Sequence, residues 1–469
     1  MNGIIGVRMV SADHTVAAAN LMIGALKHRG STSRVEYLGD ENGCFVAVGC
    51  LTHAGTPQQI ACSRSTLTVL NGSFYERPIA KNAEHVLRQV KLLPTRTALR
   101  KVTSEVGGFS GLVAKGCTLY AFRDINGLRP LYYARSRGVT AFASEKKALW
   151  RIGLEHPQSV PPGSAVSSTR KGLRESAIVQ FHRPTERKLS FKQASVTLRR
   201  LLYTSVQRIT GGAGKICVAF SGGLDSAVTA AIAKRAGAEL QAVSVGLVDS
   251  SEISTVEKFA NQLGLGITLE TFDSSSIEEY VRRVLWLIEE PNLMKLSVAI
   301  PLHWAAMVAA RSGYKVMLCG QGSDELYGGY SKYARILRTR GRRELIAQLY
   351  RSVIESSQVN YDRDDQATSP FPVELRTPFA DPDLIRFSLS IPSEFKVKDG
   401  DDGTRKWILR EVARSIGVPE DIAWRRKKAI QHGTGVERAI IKLAKGRGLR
   451  PQEYLSRTFA DVRELEVMP

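Results

Sequence analysis

The chain has 469 residues, 43% of them hydrophobic, enough to bury two ordinary cores and to make two or three domains the expectation. Its formal net charge of +21 would draw RNA or other polyanions without specificity, but the basic residues are spread through both halves, which favours a solvated surface over a dedicated RNA-binding stripe. No opening segment has the order of a secretory signal and no run reads as apolar for long enough to cross a bilayer. The six cysteines form no Cys-x-x-Cys or Cys/His zinc pattern, so a cytoplasmic protein with no membrane contact is expected.

Taken in chain order, Gly3-Ile4-Ile5-Gly6-Val7 reads as a first strand, His28-Arg29-Gly30 as a turn, and Asn71-Gly72-Ser73-Phe74-Tyr75 as a strand carrying an Asn-Gly pair. Arg123 to Tyr133 and Phe142-Ala143-Ser144-Glu145 add further strand and turn signals, and Pro162-Gly163 marks the approach to a boundary. The polar, proline-broken stretch His182 to Lys188 is the best linker. It divides a domain over 1–182 from a linker at 183–192 and a second domain over 193–469. From Phe191 to Ile209, Val196, Leu198, Leu201 and Leu202 recur at helical spacing. Arg335 to Ser356 reads as a charged, partly exposed helix, and Val436 to Leu455 as a basic one. Cys44, Cys217 and Cys319 sit inside apolar runs, which points to packing.

The chemistry concentrates in the second half. Ile216 to Phe220 is a short apolar run, followed at once by Ser221-Gly222-Gly223-Leu224-Asp225-Ser226 and a helix-forming stretch from Ala227 to Ala236. Two adjacent glycines let a backbone approach a polyphosphate, and the amides of a helix start point their positive ends at it. Ser221 and Ser226 offer hydroxyl donors, and Asp225 offers a hard oxygen to Mg²⁺. Tyr314 to Cys319 reads as another buried strand, running into Gly320-Gln321-Gly322-Ser323-Asp324-Glu325 and on to Gly328-Gly329-Tyr330. Strands alternating with helices imply a parallel sheet with ligands at the carboxyl ends of its strands. Both loops are therefore expected at one rim, with Asp225 and Asp324 as paired Mg²⁺ ligands.

These two loops, Val243 to Leu247 between them, Val373 to Asp381 after them and Trp424 to Gly435 near the end resemble the synthetase half of the glutamine-dependent asparagine synthetases. β-Lactam synthetase is a relative. The resemblance implies a Rossmann-like, doubly wound parallel sheet of the ATP-pyrophosphatase, adenine nucleotide alpha hydrolase-like kind. It also implies ATP and Mg²⁺ as cofactors, with Ser221, Gly222, Gly223, Asp225, Ser226, Val245, Gly320 and Gly322 around the nucleotide and adenine against Val243 to Gly246. Lys427 falls where the family keeps a catalytic lysine. The amino-terminal part is similar to the family's class II glutamine amidotransferase domain, which implies an Ntn-hydrolase-like αββα sandwich and makes the whole an α/β and α+β two-domain protein.

Three positions in that first half depart from the pattern. The family's glutaminase needs an amino-terminal cysteine thiol with its own α-amine as base, and the corresponding residue is Asn2. The stretch that carries a glutamine-binding arginine reads Gly49-Cys50-Leu51-Thr52-His53, and Asn82 stands where an aspartate is expected. Asn71-Gly72 remains as the oxyanion pair of a degenerate pocket from which glutaminase activity is expected to be lost.

The implied reaction is attack of a substrate carboxylate on the α-phosphorus of ATP, followed by displacement of AMP from the acyl-adenylate by ammonia or an amine. Aspartate is the default acid. Two departures bear on it. Gln321 replaces a glutamate and cannot act as a base, leaving Glu374 as a candidate substitute. Met294-Lys295-Leu296-Ser297-Val298 replaces an aspartate-selecting segment and lacks its arginine. A tRNA-modifying adenylating enzyme and a catalytically silent scaffold are the alternatives. A homodimer, an RNA partner, and a first domain serving only as a cover are left open, and His432 is expected to be structural.

Overall fold

In the computed structural model the described residues are 2–464, apart from 41–42, 137, 184, 212, 251, 399–403 and 427–429. Lys427 therefore lies outside them. The chain divides into two compact units, the first made of 1–180 with 369–372 and the second of 181–368 with 373–468.

The first unit holds two six-stranded sheets. One runs in the order β10 (Gln158–Ser159), β8 (Tyr132–Ser136), β9 (Val139–Ala143), β1 (Gly3–Met9), β3 (Cys44–Thr52), β2 (Thr32–Asp40). The other runs β12 (Gly172–Ala177), β11 (Ser164–Thr169), β7 (Thr118–Arg123), β6 (Gly107–Lys115), β5 (Thr66–Phe74), β4 (Ile60–Ser63). Strand alternation sets the layers. On β5, Leu67 and Val69 enter the core shared with Ile4, Val46, Val48 and Leu112, whereas Leu70 and Phe74 face the helices Asn82–Leu92 and Thr95–Thr103 through Val86, Val90 and Leu99. On the opposite side, Ile5, Val7 and Ala47 pack on the helix Ala12–Ala25. The result is helix, sheet, sheet, helix.

A largely buried charge cluster ties this unit together. Glu145 accepts from His28 Nε2 at 3.0 Å and also from Arg29 Nε and Lys147 Nζ. Burial alone would raise the Glu145 pKa, but Arg29 first, then the His28 imidazole and Lys147, outweigh it and hold the carboxyl well below the usual range, while burial lowers the pKa of His28 itself. The stabilising contribution of Glu145 is thus present above the ordinary carboxylate pKa and is lost only as pH falls through the depressed value. Arg29 also donates to the Asn2 carbonyl at 3.2 Å, and the Asn2 backbone N–H donates to Asn71 Oδ1 at 3.2 Å. Gly72 follows at φ +95°, where an added Cβ would sit 2.0 Å from the Gly108 carbonyl oxygen.

The cysteine expectation needs one correction. Cys44 is joined to Cys117 in a disulfide that links β3 to the turn between β6 and β7. The partners are 73 residues apart, and closing a loop of that size stabilises by about 4 kcal/mol in the chain-entropy picture. Mild reductant is expected to lower the melting temperature of the protein, and Cys44→Ser to reproduce the shift with no further effect of reductant. A reductant-insensitive melt would contradict the bridge.

The second unit is built on a five-stranded sheet, all parallel, in the order β15 (Gly266–Phe272), β14 (Leu240–Leu247), β13 (Ile216–Ala219), β16 (Val316–Leu318), β17 (Glu374–Arg376). Chain order reverses at β13, whose neighbours are β14 and β16. The crevice beyond the carboxyl ends of β13 and β16 is where such sheets take ligands. The helix Phe191–Thr210 opens on a Ser190/Gln193 capping box. Leu293–Arg311 is apolar and long enough to span a membrane, contrary to the sequence expectation, but it is a buried helix of this unit. Its Trp304 stacks on Phe272 with ring centroids 4.2 Å apart.

Candidate active site

The first loop turns at Gly222, where φ is +66°, and Gly223 opens the helix Leu224–Arg235. Ser226 Oγ donates to the Gly223 carbonyl at 3.0 Å and accepts from the Ser221 N–H at 3.3 Å, so the loop is locked by its own hydroxyl. The second loop turns at Gly322, φ +93°, into the short helix Ser323–Tyr327. The two loops touch. A Cβ on Gly320 would lie 2.6 Å from Asp225 Cβ, and Ser323 Oγ donates to Asp225 Oδ1 at 2.7 Å. Glycine is required at position 320 because the backbone there runs against the start of the other loop's helix.

Lys406, which the sequence reading missed, joins the two carboxylates. Its Nζ lies 2.6 Å from Asp225 Oδ1, 2.7 Å from Asp225 Oδ2 and 2.6 Å from Asp324 Oδ1, and it donates to Ser323 Oγ at 3.1 Å. Burial of the side chain pulls its pKa down, but the two aspartates more than offset this and the ammonium is held above the usual 10.5. Lys406 adopts a left-handed backbone, φ +59°, immediately before the helix Trp407–Ser415. A non-glycine residue pays for that conformation only where its surroundings fix it.

Around these groups is a cavity of about 630 Å³. Ser221, Gly223, Asp225, Ser226, Val245, Gly320, Gln321 and Asp324 all line it. Val243 and Ser244 form part of its wall, and Arg405, Arg410 and Arg425 lie on its rim, with Arg425 paired to Glu252 at 2.5 Å and donating to the Gly222 carbonyl. Gly222 and Gly322 shape the turns without lining the space. Glu325 also lines it. Burial first, and then the neighbouring Asp324, raise the Glu325 pKa, and its Oε1 accepts from Tyr330 Oη at 2.6 Å and Asn360 Nδ2 at 3.0 Å.

Other sequence candidates fall elsewhere. Glu374 lies on β17, outside the lining, and pairs with Arg376 at 2.5 Å. Lys295 turns from the cavity to Glu290 at 2.6 Å and the Gln358 carbonyl at 3.1 Å. His432 is exposed and pairs with Glu437. In the first unit, Asn71 meets the Asn2 backbone, whereas the buried side chain of Asn82 has no hydrogen-bond partner among the described residues.

A family model described as asparagine synthase matches residues 197–359 and 338–448, which contain both loops, Lys406 and the cavity wall. The chain belongs to the asparagine synthase family. A Methanocaldococcus jannaschii protein carrying the name of a glutamine-hydrolyzing asparagine synthetase is 33% identical over 381 residues, covering 71% of this chain and 70% of its own. Asparagine synthetase (glutamine-hydrolyzing) 2 of Arabidopsis thaliana is 28% identical, and the chain spans 56% of its length. Its counterpart from Sandersonia aurantiaca is 25% identical over 87% of this chain and 82% of that one. Membership makes the chain an enzyme of the carbon–nitrogen ligase kind, in a family that uses ATP.

Asp225 and Asp324 are suited to Mg²⁺. The ion commonly takes one or two protein carboxylates and completes its shell with phosphate oxygens and water. Among the described residues no group of three His, Cys, Asp or Glu side chains gathers to hold a metal alone.

Proposed function

We propose that the second unit activates a substrate carboxylate with ATP, releasing pyrophosphate, and passes the acyl group from AMP to ammonia or an amine. The contact of Gly320 with Asp225 carries this reading, because it brings a phosphate-gripping turn and an acidic turn to one cavity. Ser221, Ser226 and the amides opening the helix Leu224–Arg235 hold the pyrophosphate moiety, and adenine rests against Val243 to Gly246. Asp225 and Asp324 would hold Mg²⁺, whose charge favours departure of pyrophosphate. Lys406 holds the two carboxylates together and keeps their combined charge from dominating the site. Lys427 is assigned the neutralisation of charge as the amine displaces AMP. Gln321 orients a ligand through its amide and takes no proton.

Ammonia rather than glutamine is the proposed nitrogen source. A glutaminase of this type needs an activated thiolate, and no cysteine of the first unit is one. Cys44 and Cys117 are joined, burial pushes the Cys50 thiol up to about 12, and burial also raises Cys62. Aspartate is the reference acid by family. Purified protein with ATP, Mg²⁺, ammonium and a carboxylate should release pyrophosphate and AMP in step with amide, and should release no ammonia from glutamine. Pyrophosphate release that is independent of carboxylate but stimulated by tRNA would replace this reading with RNA modification. Ammonia from glutamine, abolished by Asn71→Ala, would refute the loss of glutaminase activity.

A further inference from the structure

One wall of the cavity differs in chemistry from the two glycine loops. Met294, Val298, Pro301, Leu302 and Ala305 line it from one side of the helix Leu293–Arg311, at spacings that form a single stripe. The contact of Lys295 Nζ with the Gln358 carbonyl brings the first turn of that helix to the segment Ser357–Tyr361, whose Val359 and Asn360 also line the cavity. Asn360 in turn bonds Glu325 at 3.0 Å. Met294, Val298 and Val359 thus stand on the side of the second loop, where the part of an acid remote from its reacting carboxyl would lie.

Acidic and basic groups are paired or set aside on this wall. Glu325, Glu355 and Asp364 line the cavity, and Glu325 Oε2 is buried without a hydrogen-bond partner among the described residues. The nearby cations are committed or turned away. Arg363 binds Asp364 at 2.6 Å, and Lys295 binds Glu290. Lys332 has its ammonium 5.4 Å and 5.2 Å from the ring centres of Tyr330 and Tyr333, and Arg405 donates to the Gly329 carbonyl at 2.7 Å. A second carboxylate on the substrate would meet apolar side chains and acidic groups here, and a desolvated carboxylate without a partner is strongly disfavoured.

On this basis, and resting on the adenylation reading above, we propose that the acyl substrate is a monocarboxylic acid with an apolar body and that aspartate is a poor substrate. Met294, Val298 and Val359 are the residues that select it. The test measures return of labelled pyrophosphate into ATP with 4-methylpentanoate, leucine, 3-phenylpropionate and aspartate at equal concentration. The apolar acids should support exchange at least about tenfold faster than aspartate, the range a few apolar contacts can supply. Met294→Arg should cut the rate with 4-methylpentanoate about tenfold while ATP binding persists. Faster exchange with aspartate, lost in Lys332→Ala, would overturn the proposal and leave adenylation standing. Should no acid support exchange, adenylation fails, and calorimetry with ATP present then decides the specificity alone: tighter binding of 4-methylpentanoate than of aspartate upholds it, and equal or weaker binding overturns it.

Discussion

Replacing Lys406 with methionine is expected to be the most damaging single change in the second unit. The substitution keeps much of the side-chain volume and removes a charge shared by Asp225 and Asp324. Removing one member of a buried, hydrogen-bonded charge group commonly costs about 3–5 kcal/mol, because the remaining charges are left uncompensated. The Asp225 side chain is partly exposed, which places the expected loss toward the lower end of that range. Pyrophosphate exchange should fall about 100-fold or more, the scale seen when one preorganised electrostatic group is lost from a reacting site. Urea denaturation measures the first effect and labelled exchange the second. Wild-type stability together with wild-type exchange would show that Lys406 is incidental.

Gly329→Ala should produce the second large effect, and for a steric reason. An added Cβ at this position would lie 1.7 Å from Asp324 Oδ1 and 2.2 Å from Lys406 Cε. Long side chains often swing away from such a clash, but these two hold each other in a buried site, so the ion pair must open or the backbone must move. Overpacking of this kind commonly costs about 1–3 kcal/mol. The variant should melt earlier than wild type and lose at least about tenfold in exchange, whereas Gly446→Ala, where an added Cβ meets no atom within 4 Å, should be close to neutral. If both alanine variants behaved alike, the packing of Gly329 against the ion pair would be disproved.

The loops were legible in the sequence because each combines local signals that agree: a short apolar strand, a glycine pair and a helix start bearing an acid. The meeting of Asp225 with Asp324 followed from one topological rule about parallel sheets. Lys406 was not legible. It is distant in sequence from both loops, and its left-handed backbone has no signature in a non-glycine residue. The pairing of Cys44 with Cys117 was equally hidden, since strand-like apolar surroundings describe a packed thiol as well as a bridged one. The apolarity of Leu293–Arg311 was underestimated, because Pro301 and His303 interrupt a run that nonetheless forms one helix. Lys295 illustrates a limit of motif alignment: its position matched a recognition segment, but Glu290, five residues earlier, takes its charge.

ATP is proposed to lie in the cavity between the two glycine corners, with adenine against β14. Photolabelling with 8-azido-ATP in the presence of Mg²⁺, followed by peptide mapping, tests it most directly. The account predicts that label falls on residues lining this cavity, concentrated in the peptide containing Val243 to Gly246, and that unlabelled ATP suppresses it. Label that ATP suppresses but that maps to the first unit, or to helices of the second unit remote from Ser221 and Asp324, would contradict it.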